Sequence, residues 1–452
     1  MKFKLTTLFI LAAATLNFYC STPQQTTKAP TLRQDQVENH PEVTITNTEA
    51  LNTAADELSP TVSGDSKFLF FTSDRSGGQG GQDIYLAANH DGAWGNITNL
   101  GSLINTSDNE GSPSLTPDRQ TMYFAMCDHS GGYGDCDIYT AELVGGVWTN
   151  VRNLGPSVNT SAWESQPSIA PDGRTLYFAS NRPGGHGGKD IWMTVKTGDT
   201  TWSTPVDLGD AINTDGDEQC PSIASDGRTM YFSSDGKPGL GGFDIFVSKR
   251  KGGKWSDAVN IGTPINTSAN ELFYNAQINS KRAYFASDRS GGKGGYDIYT
   301  AFPNPAQPSA TTIVEGVVTD AKSGQPLGAS IVITDLTTDD VVAQFRSDDV
   351  TGDYLVVLQS GKEYSVTAQA QDHLFYSERF DVPAQQDADQ TIKKDIQLQP
   401  ILGTVRLLVF FDFNKSDLQP ASTPELNRAL KLMADDAGMK IEVAGFTDNI
   451  GS

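Results

Sequence analysis

Along most of the chain the hydrophobic residues fall in short aromatic and β-branched runs, such as FLFFTS (68–73), TMYFAM (121–126), TLYFAS (175–180) and DIYTAF (297–302). Between them lie stretches of Gly, Asp, Asn, Ser and Pro. Short apolar runs bounded by turn residues predict β-strands joined by hairpins. A helical period appears only near the C-terminus, where Leu426, Leu430 and Met433 share one face of a helix expected at about 423–435. Strands are expected on either side of it, at 405–411 and 440–445. At the other end Lys2 and Lys4 precede an apolar run from Leu5 to Leu16. That run is shorter than the roughly 20 residues a bilayer span needs, so residues 1–20 read as an export signal.

The strand pattern repeats. DRSGGQGGQDIY (74–85) recurs as DHSGGYGDCDIY from 128, NRPGGHGGKDIW from 181, DGKPGLGGFDIF from 235 and DRSGGKGGYDIY from 288. The closing aspartates Asp83, Asp137, Asp190, Asp244 and Asp297 set a period of 53 to 54. Each unit begins with Asn-Thr, a Glu five residues after the Asn and a Pro three further on, as in Asn52, Glu57 and Pro60; the fifth copy has Tyr274 in place of the Pro. Trp94, Trp148, Trp202 and Trp255 close the first four units. Four short strands per unit and five units predict a five-bladed β-propeller over 42–302. The fifth unit has no closing tryptophan segment, whereas EVTIT (42–46) stands at the offset of a fourth strand. That segment is expected to complete the last blade and remove its free edge.

The glycine stretch is expected to connect two antiparallel strands, with its recurrent glycines, such as Gly78 and Gly80, where the backbone needs positive φ. Two readings stand beside one another. In one the aspartates accept backbone N–H bonds in a structural turn; in the other Asp74 and Asp83 offer hard oxygen ligands to calcium. The spacing GGxGGxD and the long period leave no adjacent turn to complete a calcium shell, and no other metal or cofactor is expected. A phosphate cradle wants a following helix, and DIYLAA reads as strand. In the second copy Cys127 and Cys136 stand at the two feet of the turn, where hairpin geometry and an exported, oxidising setting favour a disulfide. Cys220 has no partner in its own unit and reads as a buried free thiol.

Through PSIAPDGRTLYFASNRPGG (167–185) and its copies, the repeat resembles the WD40-like PD40 propeller family found beside TolB-type proteins, which implies a binding platform. PNPAQPSATT (303–312) reads as a Pro-rich linker. The strands of 313–398, with Gly316, Gly324, Pro326, Leu327, Gly352, Tyr354, Gly361 and Tyr364, resemble the carboxypeptidase regulatory-like domain, a transthyretin-like β-sandwich. FFDFNKSDL and GFTDNIGS make 404–452 resemble the first half of the OmpA-like peptidoglycan-binding domain, a partial α/β unit. In that family the aspartate of the TDN motif receives the diaminopimelate ammonium of the wall peptide. The matching residues are Thr447, Asp448 and Asn449; the family's arginine on the next helix has no counterpart before Ser452. The run ending at Cys20 resembles a lipoprotein signal, implying lipidation there, while AAA at 12–14 offers an ordinary cleavage site; residues 21–41 then form a polar linker.

The whole is therefore expected to be a mainly β multidomain chain. Its net charge of −22 argues against nucleic acid as a partner. No G-x-S-x-G elbow occurs, and His40, His90, His129, His186 and His373 sit in polar, loop-like contexts, so the chain is expected not to be an enzyme. The order of domains resembles Bacteroidota envelope proteins, some associated with type IX secretion. That resemblance implies a scaffold at the outer membrane, facing the periplasm, anchored by lipid, gripping peptidoglycan and binding other envelope proteins. The alternative expectation is a glycan- or protein-binding propeller without wall binding, with the aromatics around Trp163 as the glycan surface; an accessory propeller of a peptidase system comes after both.

Overall fold

The computed structural model describes residues 30–384, 391–401, 409–412, 415 and 417–435. Cys20, Thr447, Asp448 and Asn449, and the strands expected at 440–445 and over most of 405–411, lie outside them. The expected helix forms at Thr423–Asp435.

Between residues 44 and 302 the chain builds five antiparallel sheets. The first runs Glu57–Val62, Phe68–Ser73, Asp83–His90, Ala93–Asn99, and the next three repeat it in order. In the fourth, Lys254–Trp255 and Val259–Asn260 both pair with Asp244–Lys251. The fifth sheet takes Glu271–Ala276, Ala283–Ser287 and Asp297–Phe302, then closes with Thr44–Asn47, whose Ile45 faces Ala301 across the ladder. Each innermost strand touches the next, and Glu271–Ala276 returns to Glu57–Val62, so the sheets form a propeller-like ring.

Every innermost strand carries the same irregularity. In the first, the ladder skips from Leu58 opposite Thr72 to Thr61 opposite Phe70. The extra residue makes a β-bulge, with Ser59, Ser112, Gln166, Cys220 and Phe273 at φ of 53° to 57°. A proline follows in the first four strands. Its missing N–H costs nothing there, because the bulge has no ladder bond for it to make.

Aromatic side chains hold neighbouring sheets together. Trp148 meets Phe70 of the preceding sheet edge-on at 6.1 Å, Trp202 meets Tyr123 at 5.9 Å, Trp255 meets Tyr177 at 5.9 Å and Trp94 meets Tyr284 at 6.0 Å. Such pairs add about 0.5–1.5 kcal/mol each beyond the area they bury. The fifth sheet lacks a tryptophan, and the segment expected to be a linker takes its place. Tyr231 donates to the Ala306 carbonyl, and Tyr274 donates to Asn304 Oδ1 at 2.9 Å.

Residues 311–398 form two further sheets around one core of Val314, Val318, Ile331, Ile333, Tyr354 and Tyr364, among others. This sandwich sits on the ring face that carries the turns between first and second strands. Gln344 N donates to Asp172 O at 3.3 Å, Gln359 Nε2 to Asp226 O at 3.1 Å, and Ser309 N to Asp226 Oδ2 at 2.8 Å. The glycine stretches lie on the opposite face, where Leu32 N donates to Gly239 O at 2.5 Å and His40 N to Thr263 O at 2.8 Å. Residues 30–40 thus pack along that face instead of trailing as a free linker.

Candidate functional site: the glycine-turn face

The repeated polar residues turn inward. Glu57, Glu110, Glu164, Glu218 and Glu271 are each 0% exposed, and the five closing aspartates 1%. A buried carboxylate is costly unless hydrogen-bonded, and the motif supplies the donors itself. Thr53 gives Glu57 both its N–H and its hydroxyl, at 2.7 Å each, and the threonine of every other copy does the same. Arg75 reaches Glu57 at 3.0 Å, Arg182 reaches Glu164 and Arg289 reaches Glu271, both at 3.2 Å. The motif asparagine stitches one unit to the next: Asn105 accepts from Ile84 N and donates to Ile84 O, both at 2.9 Å.

The glycine stretch is the other half of that joint. Gly81 N donates to Asp108 O at 3.0 Å, and Glu110 N donates to Gln82 O at 2.8 Å. The positive-φ expectation for Gly78 and Gly80 is corrected here. Left-handed backbone occurs one residue earlier, at Gly77, Gly184 and Gly291, with φ of 91°, 102° and 93°. Gly78 and Gly80 are glycines because of close approach. A Cβ on Gly78 would lie 1.8 Å from Asp83 Oδ2, and one on Gly80 would lie 2.1 Å from Asp108 O.

The pair considered for calcium is employed differently. Asp83 Oδ2 accepts from Gln79 N at 2.6 Å and from Asn99 Nδ2 at 3.2 Å, whereas Asp74 Oδ1 accepts from Asp56 N at 2.8 Å. Among the described residues no group of three or more His, Cys, Asp or Glu side chains is placed to hold a metal ion. Burial, reinforced by the nearby Glu271 charge, pushes Asp244 up to about 6 despite N–H bonds from Gly241 and Leu240. The stability that its neutral form contributes is complete below the unfolded carboxyl range and is lost as pH rises through about 6.

One joint departs from the rest. Cys127 and Cys136 are disulfide-bonded. Cys127 stands where Ser73, Ser180, Ser234 and Ser287 donate to their buried glutamates in the other units. His129 replaces the arginine and pairs with Asp108 at 2.9 Å. Burial, the largest cause, raises the Glu110 carboxyl. Cys220 is buried and unpaired by disulfide, and burial pushes its thiol up, which makes it inert.

Two spaces flank these features. A cavity of about 100 Å³ at the ring axis is lined by the bulge residues Ser59, Ser112, Gln166, Cys220 and Phe273, with Val357 of the sandwich below. A cleft of about 720 Å³ opens between the ring and the sandwich. Four of its charges pair with one another, Arg152 with Glu142 and Arg346 with Asp349, each at 2.8 Å. Neither space was legible in the sequence, because each is lined by units remote along the chain.

No family model and no curated protein sequence matches the chain. Similar solved structures include a TolB protein from Agrobacterium tumefaciens, at 15% identity, covering 70% of this chain and 97% of that one with a TM-score of 0.34. An α-L-arabinofuranosidase from Lactobacillus brevis, at 13% identity, covers 62% of this chain and 99% of its own, with a TM-score of 0.39. A thermostable family-43 glycoside hydrolase, at 13% identity, covers 57% and 92%, with a TM-score of 0.39. The likeness is one of propeller-type fold. The expectation that the chain is not an enzyme is withdrawn: glycoside hydrolases and a sialidase stand among these structures, at 12% to 15% identity. The missing G-x-S-x-G elbow bears only on serine nucleophiles, whereas glycoside hydrolysis runs on paired Asp or Glu.

Proposed function

We propose that the chain is a scaffold of the bacterial outer membrane, periplasm-facing, that joins the cell wall to other envelope proteins. In this reading the ring is a five-bladed PD40-type propeller and residues 313–398 are a regulatory-like sandwich that stiffens it. Cys20 carries the lipid anchor. The OmpA-like segment receives the diaminopimelate ammonium on Asp448, between Thr447 and Asn449. The observation that carries the reading is the division of the ring's two faces. The sandwich covers one, and the repeated acids are consumed in joints, which leaves as the platform for partners the part of the glycine-turn face that residues 30–40 do not cover.

An exposed carboxylate–ammonium pair contributes only about 0–1 kcal/mol, and a converging arginine adds a bidentate bond. The test is therefore co-sedimentation of the protein with purified sacculi. Asp448→Ala is expected to weaken sedimentation by up to about fivefold, the equivalent of about 1 kcal/mol. Sedimentation that ignores Asp448 rejects wall binding through this motif.

A further inference from the structure

At four of the five joints, the residue before the buried glutamate is Asp56, Asn109, Asp217 or Asn270. Its Oδ1 accepts an N–H from the preceding unit's turn: Tyr296 at 2.8 Å, Gln82 at 3.0 Å, Lys189 at 2.9 Å and Phe243 at 3.0 Å. The turn residue facing that oxygen is always glycine. A Cβ on Gly81, Gly188, Gly242 or Gly295 would lie 2.2 to 2.3 Å from it. At the joint between the second and third sheets both partners change together, to Trp163 and Asp135. Backbone pairing of Cys136 with Trp163 spans this joint instead, and the Cys127–Cys136 disulfide fixes the hairpin that carries Cys136. The side chains that serve as a latch elsewhere are released here.

Two aromatic residues flank the released contact. Gly134 presses on Ala162, where a Cβ would lie 2.0 Å from the carbonyl, so Tyr133 and Trp163 each stand one residue from it. Tyr133, at the tip of the turn, is 48% exposed, and Trp163 is half-buried. Lys189 Nζ lies 4.5 Å from the Trp163 ring centre and 3.5 Å from Gln219 Oε1. Asp128 and Asp135 are exposed beside them.

We infer that this joint is a carbohydrate-binding site, in which sugar rings stack on Trp163 and Tyr133 while Lys189 and Asp135 bond their hydroxyl or carboxylate groups. The inference depends on the glycine-turn face being open and not on wall binding through Asp448. Aromatic faces accept the apolar C–H face of a pyranose, and the polar rim suits its hydroxyls. A protein hot spot would sit within a desolvated apolar patch, whereas these rings rise singly among charged and amide side chains.

The test is isothermal titration of the whole chain with neutral hexasaccharides (cellohexaose, xylohexaose and chitohexaose) and with an oligogalacturonide. At least one is expected to bind, and Trp163→Ala and Tyr133→Ala each to weaken it at least tenfold. Loss of affinity for the acidic oligosaccharide alone in Lys189→Met identifies a carboxylate-bearing sugar; equal loss identifies a neutral one. The double variant Trp163→Asn with Asp135→Gly restores the latch of the other joints, so it is expected to keep the thermal midpoint and lose binding. Asp448→Ala is expected to leave binding unchanged, so wall binding and sugar binding fail separately. Absence of binding by all four sugars up to 10-millimolar order (about 2.7 kcal/mol), or binding indifferent to Trp163, overturns the inference. Trp163-dependent binding of a peptide library without any sugar binding would do the same.

Discussion

Glycines three residues apart in one turn are fixed by different forces. Gly77 has a left-handed backbone with open space around its Cβ position, whereas Gly80 has no such φ and abuts the backbone of the next unit. Asparagine tolerates left-handed backbone at modest cost, but no side chain escapes a carbonyl 2.1 Å away. Gly77→Asn is therefore expected to cost less than about 1 kcal/mol. Gly80→Asn is expected to cost roughly 1–3 kcal/mol through overpacking. Urea unfolding of both variants measures the difference, and equal losses would contradict the close-approach account. The same logic governs the buried acids. Burial raises the carboxyls of Glu110, Glu218 and Glu271, and at Glu271 the Arg289 charge opposes that rise.

At the scale of strands and turns, each unit is held by a bulge, an aromatic contact and a joint, and the second unit's joint is the exception. Its disulfide closes a loop with a sequence separation of 9. A loop of that length stabilises by about 2–3 kcal/mol in the chain-entropy account. Cys127→Ser with Cys136→Ser is expected to lose that amount, seen equally when the unaltered protein is unfolded under reducing conditions. A loss below about 0.5 kcal/mol would mean that the strand ladder from Thr121–Cys127 to Cys136–Val144 holds the hairpin without the disulfide. The strands, the helix at 423–435 and the facing cysteines were legible because each follows from local pattern or from register within one hairpin. Trp163 and Asp135 were legible too, but only by setting the five copies side by side, since neither is unusual by itself.

For the molecule as a whole, the decisive element is Thr44–Asn47, which joins a strand more than 250 residues away, Asn47 facing Tyr299 and Thr44 facing Phe302. Without it the Asp297–Phe302 strand becomes an open edge, a template for another chain. Removing residues up to 47 is expected to lower the thermal midpoint by roughly 5 °C or more and to produce larger species in size-exclusion chromatography. An unchanged midpoint and a monomer would show that the ring does not need closing. By itself the sequence determined the period, the strands and the segment that closes the ring, because repetition and turn chemistry are written in neighbouring residues. Only the tertiary structure decided what replaces the missing tryptophan, which ring face the sandwich covers and why Gly78 and Gly80 must be glycine. Those depend on atoms brought together from distant units: Ala306 against Tyr231, Gln359 against Asp226, and Asp108 against Gly80.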